Sequence, residues 1–351
     1  MKNNYRKLGD YIQPVDVRNS DLKVSHLLGV SVEKRFIESI ANTIGTDFSK
    51  YKIVKKGQFT YIPDTSRRGD KIGIALLTDY DEGLVSNIYT VFEITDTSKL
   101  LPEYLMLWFS RPEFDRYARY KSHGSVREIF DWDEMCRVEL PVPPLNEQQK
   151  IVDTYNAITN RIRIKQKINE NLEKTALSLF EKMFPNIIDN GENCFGDIID
   201  FSNGKSRPEE KGQIPVFGGN GIMSYTNKSN ASNCVAIGRV GAYCGSTYLC
   251  ETDCWISDNA IKATSKISDS QFFIYYLLKG AKLFERHIGT GQQLLTQGIL
   301  ASLKMRRPTD KDIIEFNRLC RVVEKNRNLI TKEIDRLNQM KLLIVSQISR
   351  R

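Results

Sequence analysis

The sequence predicts an α+β protein: two globular α+β domains separated by two long antiparallel coiled-coil helices, related as a pseudo-twofold repeat. Three observations predict it. An internal repeat runs at a fixed offset, two long segments carry an unbroken heptad seam, and β-like runs broken by Gly and Pro precede each of those segments. The expected division is a first globular domain at 1–144, a first helix at 145–185, a second globular domain at 193–308 and a second helix at 309–351. At about 150 residues per domain, 351 residues also suggest two domains.

The repeat is clearest at an offset of 165, where Gly124 maps to Gly289, Leu140 to Met305, Pro143 to Pro308, Ile151 to Phe316, Leu172 to Leu337 and Leu179 to Ile344. Upstream the match loosens. Leu8-Gly9-Asp10 resembles Phe195-Gly196-Asp197, and Val85-Ser86-Asn87 resembles Ile256-Ser257-Asp258-Asn259, at other offsets.

In the first domain, strands are expected at Tyr51–Val54, Phe59–Ile62, Ile72–Leu77 and Tyr89–Ile94, followed by a helix around Leu101–Tyr120. The run Leu140-Pro141-Val142-Pro143-Pro144-Leu145-Asn146-Glu147 cannot continue a strand or a helix, so it is a stiff lead-in to the first long helix. Asn146 is the expected N-cap, with Gln149 as its capping-box partner. The helix seam then runs through Ile151, Tyr155, Ile158, Ile162, Lys165, Asn169, Leu172, Ala176, Leu179 and Met183 in alternating steps of four and three.

The second domain repeats the plan, with strands at Ile214–Phe217, Cys234–Ile237 and Ser246–Leu249 and a helix near Gln271–Glu285. Thr309 stands where an N-cap is needed. The second seam is Phe316, Cys320, Val323, Arg327, Ile330, Ile334, Leu337, Lys341, Ile344 and Ile348. Helices of about 35 residues, about 50 Å long, need a partner along their length, and the economical one is each other. The expected pairing residues are Ile151, Ile158, Ile162, Leu172, Leu179, Val323, Ile330, Leu337 and Ile344.

Composition narrows the function. Apolar residues make up 40% and charged residues 27%, enough for packed cores. No apolar stretch is long enough to span a membrane, and no apolar segment follows the basic N-terminus, so the expectation is a cytoplasmic protein without a signal peptide. The seven cysteines are odd in number, and their closest pair is Cys250-x3-Cys254 with no matching pair or nearby histidine. That spacing predicts reduced, buried thiols in strands and no metal site.

No catalytic constellation is found. Gly204-Lys205-Ser206 lacks the glycine five residues earlier that a phosphate-binding loop needs, since Ile199 stands there. Gly219-Asn220-Gly221 has no dinucleotide-site context. The three histidines, His26, His123 and His287, form no metalloenzyme pattern, and neither a G-x-S-x-G elbow nor an adenine-methyltransferase N/D-P-P-Y/F run is present.

The positive signals concern nucleic acid. The net charge is +8 and the isoelectric point near 9.0. Basic residues gather in Gly/Ser-containing loops: Arg67, Arg68 and Lys71 in the first domain, Lys205, Arg207 and Arg239 in the second. Backbone amides in such loops can approach phosphates, and Arg can pair guanine bidentately. The segment containing Ser125 and Arg127 aligns with the one containing Gln292 and Gln293. Arg suits guanine and Gln adenine, so the two copies would read different bases. A solvated polar turn is the plainer alternative for each.

With these residues in hand, the chain resembles the specificity subunit of type I restriction-modification enzymes. Leu140 through Val152 resembles the lead-in to that family's conserved helix, and Asn171-Leu172-Glu173-Lys174 and Leu179-Phe180 its later part. Gly57–Tyr61, Arg68–Gly73 and Val85–Phe92 in the first domain are similar to a target recognition domain. So are Pro215–Ile222, which contains Asn220, Ile237–Gly241 and Ile256–Ala260 in the second. The second helix departs from the family in having Asp312-Ile313-Ile314-Glu315 in place of a Glu-Gln-Gln start.

The resemblance implies a non-catalytic subunit that binds double-stranded DNA, each recognition domain reading half of a bipartite site. It implies two modification subunits and restriction subunits as partners, which would carry S-adenosylmethionine, ATP and Mg2+, with no cofactor on this chain. Two alternatives stay open: a DNA-targeting subunit of another methylation-based defence system, and a coiled-coil scaffold that does not bind DNA.

Overall fold

The repeat in the sequence returns as a repeated topology. A computed structural model of the chain describes residues 5–39, 45–65, 71–123, 128–289 and 293–348. Contacts divide it into two units, Met1–Ile164 with Ile334–Arg351, and Lys165–Glu333.

The first unit is organised on a four-stranded antiparallel sheet in the order Ile12–Val15, Thr90–Ile94, Phe59–Tyr61, Ile74–Leu76. The Phe59 and Phe92 rings stack at 4.9 Å across adjacent strands and, with Phe109, Phe114 and Phe130, form the centre of the core. The second unit has the same antiparallel order with Ile199–Asn203, Ala260–Ser265, Cys234–Gly238 and Thr247–Cys250. Its core gathers Phe180, Phe184, Phe273 and Phe316.

The equivalence extends to single bonds. Leu8 N donates to Val138 O and Phe195 N to Leu303 O, each at 2.8 Å, and Val138 and Leu303 are 165 apart. Gly9 and Gly196 follow. A Cβ on the first would lie 2.8 Å from Cys136 Cβ, and one on the second 3.1 Å from Ala301 Cβ. Cys136 and Ala301 are again repeat partners, so glycine is needed at the same close approach twice. Asp131 caps the helix Trp132–Cys136, and Thr296 caps its counterpart Gln297–Ser302.

The long helices span Leu145–Met183 and Asp310–Gln347, 39 and 38 residues. Their first residues are also 165 apart. Within the first unit, Ile158 and Ile162 pack on Leu337, flanked by Ile334 and Ile344, while Val152 and Ile348 enter the main core and Ile151 packs against it. Within the second unit, Phe180 meets Phe316, and Leu179 and Val323 pack on the same cluster. Leu172 and Ile330 are half-buried. Residue numbers rise on one helix as they fall on the other, so the pairing is antiparallel in each unit.

Several local expectations change. Asn146 is not the N-cap: the first long helix begins at Leu145, and Pro144 O accepts from Glu147 N at 2.9 Å and Gln148 N at 3.2 Å. Gln149 instead bonds Asp153 one turn on. Thr309 does cap, accepting from Asp312 N at 3.2 Å and donating to the Asp312 carboxylate at 2.7 Å. The helix expected over Leu101–Tyr120 is two helices, Pro102–Phe109 and Pro112–Lys121, because Pro112 holds Arg111 in an extended conformation. The helix near Gln271–Glu285 ends at Gly280, and Lys282 follows in the left-handed region.

The cysteines are all free. Cys136 and Cys194 are half-buried and Cys320 lies in a helix, so the expectation of buried strand thiols holds for only part of the set. No helix among the described residues is long and apolar enough to cross a membrane.

Candidate nucleic-acid interface

In the second unit the chain brings several sequence-selected residues onto neighbouring turns. The strands Ile214–Gly218 and Gly221–Thr226 form a hairpin whose two-residue turn is Gly219-Asn220, and Asn220 is exposed at its tip. The hairpin tip approaches Gly238: a Cβ on Gly219 would lie 3.7 Å from Asn259 O and 3.9 Å from Gly238 Cα. Gly238 itself has no room for a side chain, since a Cβ there would sit 2.1 Å from Tyr243 O. This close approach lets the chain turn directly from a buried strand into Arg239.

Arg239 is held by its backbone. Its N–H donates to Asn259 O at 3.1 Å, and its carbonyl accepts from Leu295 N at 2.9 Å. Gly241 N donates to Gln293 O at 3.1 Å, which puts half-buried Gln293 beside the same turn. The Arg239 Nε is buried and has no hydrogen-bond partner among the described residues. A buried guanidinium donor left unmet is costly. Lys205 is exposed on the far side of Trp255–Ser257. Its N–H donates to Ile256 O at 3.0 Å, and its carbonyl accepts from Trp255 Nε1 at 3.2 Å. Arg207 is exposed just beyond it. Gln292 lies outside the described residues.

In the first unit, Arg67, Arg68, Ser125 and Arg127 lie outside the described residues. Thr65 N donates to Glu128 O at 3.0 Å, Thr65 Oγ1 to Ser122 Oγ at 2.8 Å, and Ile129 bridges both Asp64 and His123. Asp64 and Thr65 are thus bonded to Ser122, Glu128 and Ile129, the described residues on either side of 124–127. The second unit has the same bridge between Ile288 and Leu294, the repeat partners of His123 and Ile129, and Leu294 also bridges Val240. Lys71 is half-exposed, with Glu33 at 3.1 Å.

A feature the sequence did not point to lies next to Lys71. A cavity of about 820 Å3 is lined by Lys34, Lys71, Arg116 and Arg119, with Tyr120 at its rim. Arg119 pairs with Glu128, and Arg116 with Glu113 at 3.2 Å. Lys34 adopts a left-handed backbone, and its ammonium is buried against Asp115 at 2.5 Å. Asp115 also accepts from Ile72 N at 3.1 Å. Burial pushes the Lys34 pKa down from its ordinary value, with the Asp115 charge opposing it. The ion pair ties the Ser31–Arg35 turn to the helix Pro112–Lys121. Nothing in the sequence singles out Lys34, Arg116 or Arg119, because the cavity arises only when the turn and the helix meet. In the second unit the sequence reading likewise passed over half-exposed Tyr243 and the outer face of the hairpin, where Ile222, Met223 and Tyr225 are exposed.

Comparison with known proteins agrees with this architecture. A family model described as the type I restriction modification DNA specificity domain matches residues 2–174 and 189–339. The type I restriction enzyme HindI specificity subunit of Haemophilus influenzae is 28% identical over 135 residues, which are 38% of this chain and 29% of that protein. The MjaIX specificity subunit of Methanocaldococcus jannaschii is 33% identical over 103 residues, 29% of this chain and 24% of that one. The matched segments thus span under a third of these relatives. The crystal structure of a type I restriction-modification system S subunit from M. genitalium shares the fold with a TM-score of 0.60 at 14% identity, covering 98% of this chain and 95% of that one. Because the family model covers most of both repeats, the chain belongs to the type I restriction-modification DNA specificity family.

Proposed function

We propose that each unit reads one half of a bipartite double-stranded DNA site, and that the chain thereby directs adenine methylation and cleavage by partner subunits without catalysing either. The observation that carries this reading is that the scaffold repeats down to single hydrogen bonds while the side chains on its turns do not. A protein reading two unlike half-sites needs that combination: a fixed frame and two independent sets of base-contacting residues.

In the second unit Asn220, Arg239 and Gln293 are the proposed readers, with Lys205 and Arg207 on phosphates. In the first, Arg67, Arg68, Lys71, Ser125 and Arg127 take the corresponding roles, with Gln292 in the second unit as the partner of Arg127. S-adenosylmethionine, ATP and Mg2+ belong to the modification and restriction subunits in this reading, and the helix length is proposed to fix the spacing of the half-sites.

The test is a methylome. The chain is expressed with its modification subunits, and methylated adenines are mapped for wild type and Arg239→Ala. The variant is expected to relax or shift one half-site and leave the other intact. Equal loss at both half-sites, or an unchanged motif, refutes the assignment of one unit to each half.

A further inference from the structure

Three cysteines that the sequence leaves far from any metal spacing meet in the second unit. Cys234 opens the strand Cys234–Gly238 and Cys250 closes the strand Thr247–Cys250, and the antiparallel register sets them directly opposite each other. Cys254 joins them through the turn that follows. Its N–H donates to Ala231 O at 2.9 Å, and its carbonyl accepts from Asn230 and Ala231 N–H at 3.0 and 3.2 Å. The three Sγ atoms lie within 4.8 Å of one another, and those of Cys234 and Cys254 are 3.9 Å apart. All three residues are buried, over a floor of Phe217, Ala236, Ile256 and Ala260.

We propose that Cys234, Cys250 and Cys254 form a three-thiolate site for one thiophilic d10 cation of the Zn2+ class. A metal–sulfur bond of about 2.3 Å sets thiolates about 3.8–4.0 Å apart around a shared ion, and the Cys234–Cys254 spacing already matches. Binding releases three thiol protons and forms three metal–sulfur bonds, leaving a complex of one net negative charge for a divalent ion. Lys262, on the neighbouring strand opposite Ala236, supplies a nearby compensating charge. The group contains no histidine or carboxylate among the described residues, so any fourth position is left to a water or a small thiol.

The site would brace what lies around it. It joins the start of the strand that delivers Arg239 to the Glu251–Asp253 turn, where Glu251 meets Asn328 of the second long helix. The inference is independent of the DNA reading.

The test uses the full chain, reduced, stripped with a chelator and titrated with CdCl2. A thiolate-to-cadmium charge-transfer band is expected to saturate at one ion per chain. ZnCl2 is expected to raise the melting temperature, and X-ray absorption of the loaded wild type should count three sulfur neighbours. Cys234→Ser, Cys250→Ser and Cys254→Ser should each abolish stoichiometric uptake, while Cys136→Ser and Cys194→Ser keep it. Absence of the band at one equivalent, its persistence in the three variants, or fewer than three sulfur neighbours in the wild type overturns the proposal. So does isolation of a Cys234–Cys254 disulfide that resists reductant. The wild-type measurements decide the matter even if a variant misfolds.

Discussion

Arg327 is the position where one substitution tests most of the second unit's polar core. Its guanidinium makes two bonds to Glu324, at 2.9 and 3.0 Å, and reaches Glu173 at 3.2 Å. Glu173 also pairs with Lys279 and accepts from Tyr275 at 3.1 Å, and Glu324 accepts from Tyr276 at 2.5 Å. Two carboxylates and two cations balance. Arg327→Met keeps much of the volume and removes one cation. Glu173 retains Lys279, but Glu324, whose side chain is only 4% exposed, keeps nothing but a tyrosine hydroxyl. An uncompensated buried charge of this kind costs about 3–5 kcal/mol, and the surviving Tyr276 bond places the expectation near the lower end, about 3 kcal/mol. Adding Glu324→Gln removes the stranded charge while still accepting from Tyr276, so the double variant should recover about 2 kcal/mol of that loss. A chain of two units need not unfold in one step. The assay is therefore amide hydrogen exchange on the helix Gln271–Gly280 and the adjoining part of the second long helix. A single-variant loss below about 1 kcal/mol, or a double variant no better than the single, refutes the argument. The pH sign follows from Glu173. Burial alone would raise its pKa, but the Lys279 bond and the Arg327 and Lys279 charges hold it below the ordinary value. Its contribution is full above the unfolded carboxylate pKa near 4.5 and is lost as pH falls through the lower folded value.

Further outcomes follow from other sites. Asp115→Ala strands the Lys34 ammonium, whose side chain is 9% exposed; calorimetry should register a loss of about 3–5 kcal/mol from the first unit. Leu337→Ala opens a void beside Ile158 and Ile162 and should cost about 2–4 kcal/mol, with faster exchange of both long helices in that unit; unchanged exchange would count against the pairing. Gly238→Ala forces a methyl against Tyr243 O and should lower stability by about 1–3 kcal/mol while disturbing the Arg239 turn, measured as weaker DNA binding by the assembled complex. Arg239→Lys keeps the charge but loses bidentate geometry, so discrimination at one base should fall by about 1–3 kcal/mol with little change in salt dependence.

The parts of the fold that were legible in the sequence are those set by local pattern. The heptad seam predicted two long helices, and their first residues fall 165 apart as the repeat does. The strands at Phe59, Thr90, Ile214 and Cys234 lie where β-branched and aromatic runs put them. Lost were the features that tertiary contact decides. Gln148 is inside the first long helix and fully buried. Its amide bonds Lys99 O and Pro143 O, and its carbonyl accepts from Leu101 N, at the start of Pro102–Phe109. In the second unit Asn317, not the repeat partner of Gln148, does the corresponding work by accepting from Phe272 N at 2.9 Å. The need, an unmet amide at a helix start, is met in each unit from a different turn of the long helix, so alignment at a fixed offset misses it. The cysteine cluster escaped for a related reason: strand register and the turn after it bring the three thiols together, which short-range motif rules do not examine.

The four polar residues in the seams show how far register can be read back from pairing. Taken from sequence alone, Lys165, Asn169, Arg327 and Lys341 are polar exceptions that could set register at some cost in stability. Each has a specific partner on the opposite helix of its own unit. Lys165 pairs with Glu333 at 2.7 Å, Asn169 donates to Thr331 at 3.1 Å, Arg327 reaches Glu173, and the Lys341 ammonium lies 4.8 Å over the Tyr155 ring. A slip of one heptad in either direction would break all four of these pairs. The apolar seam therefore supplies association, and the polar positions choose among registers.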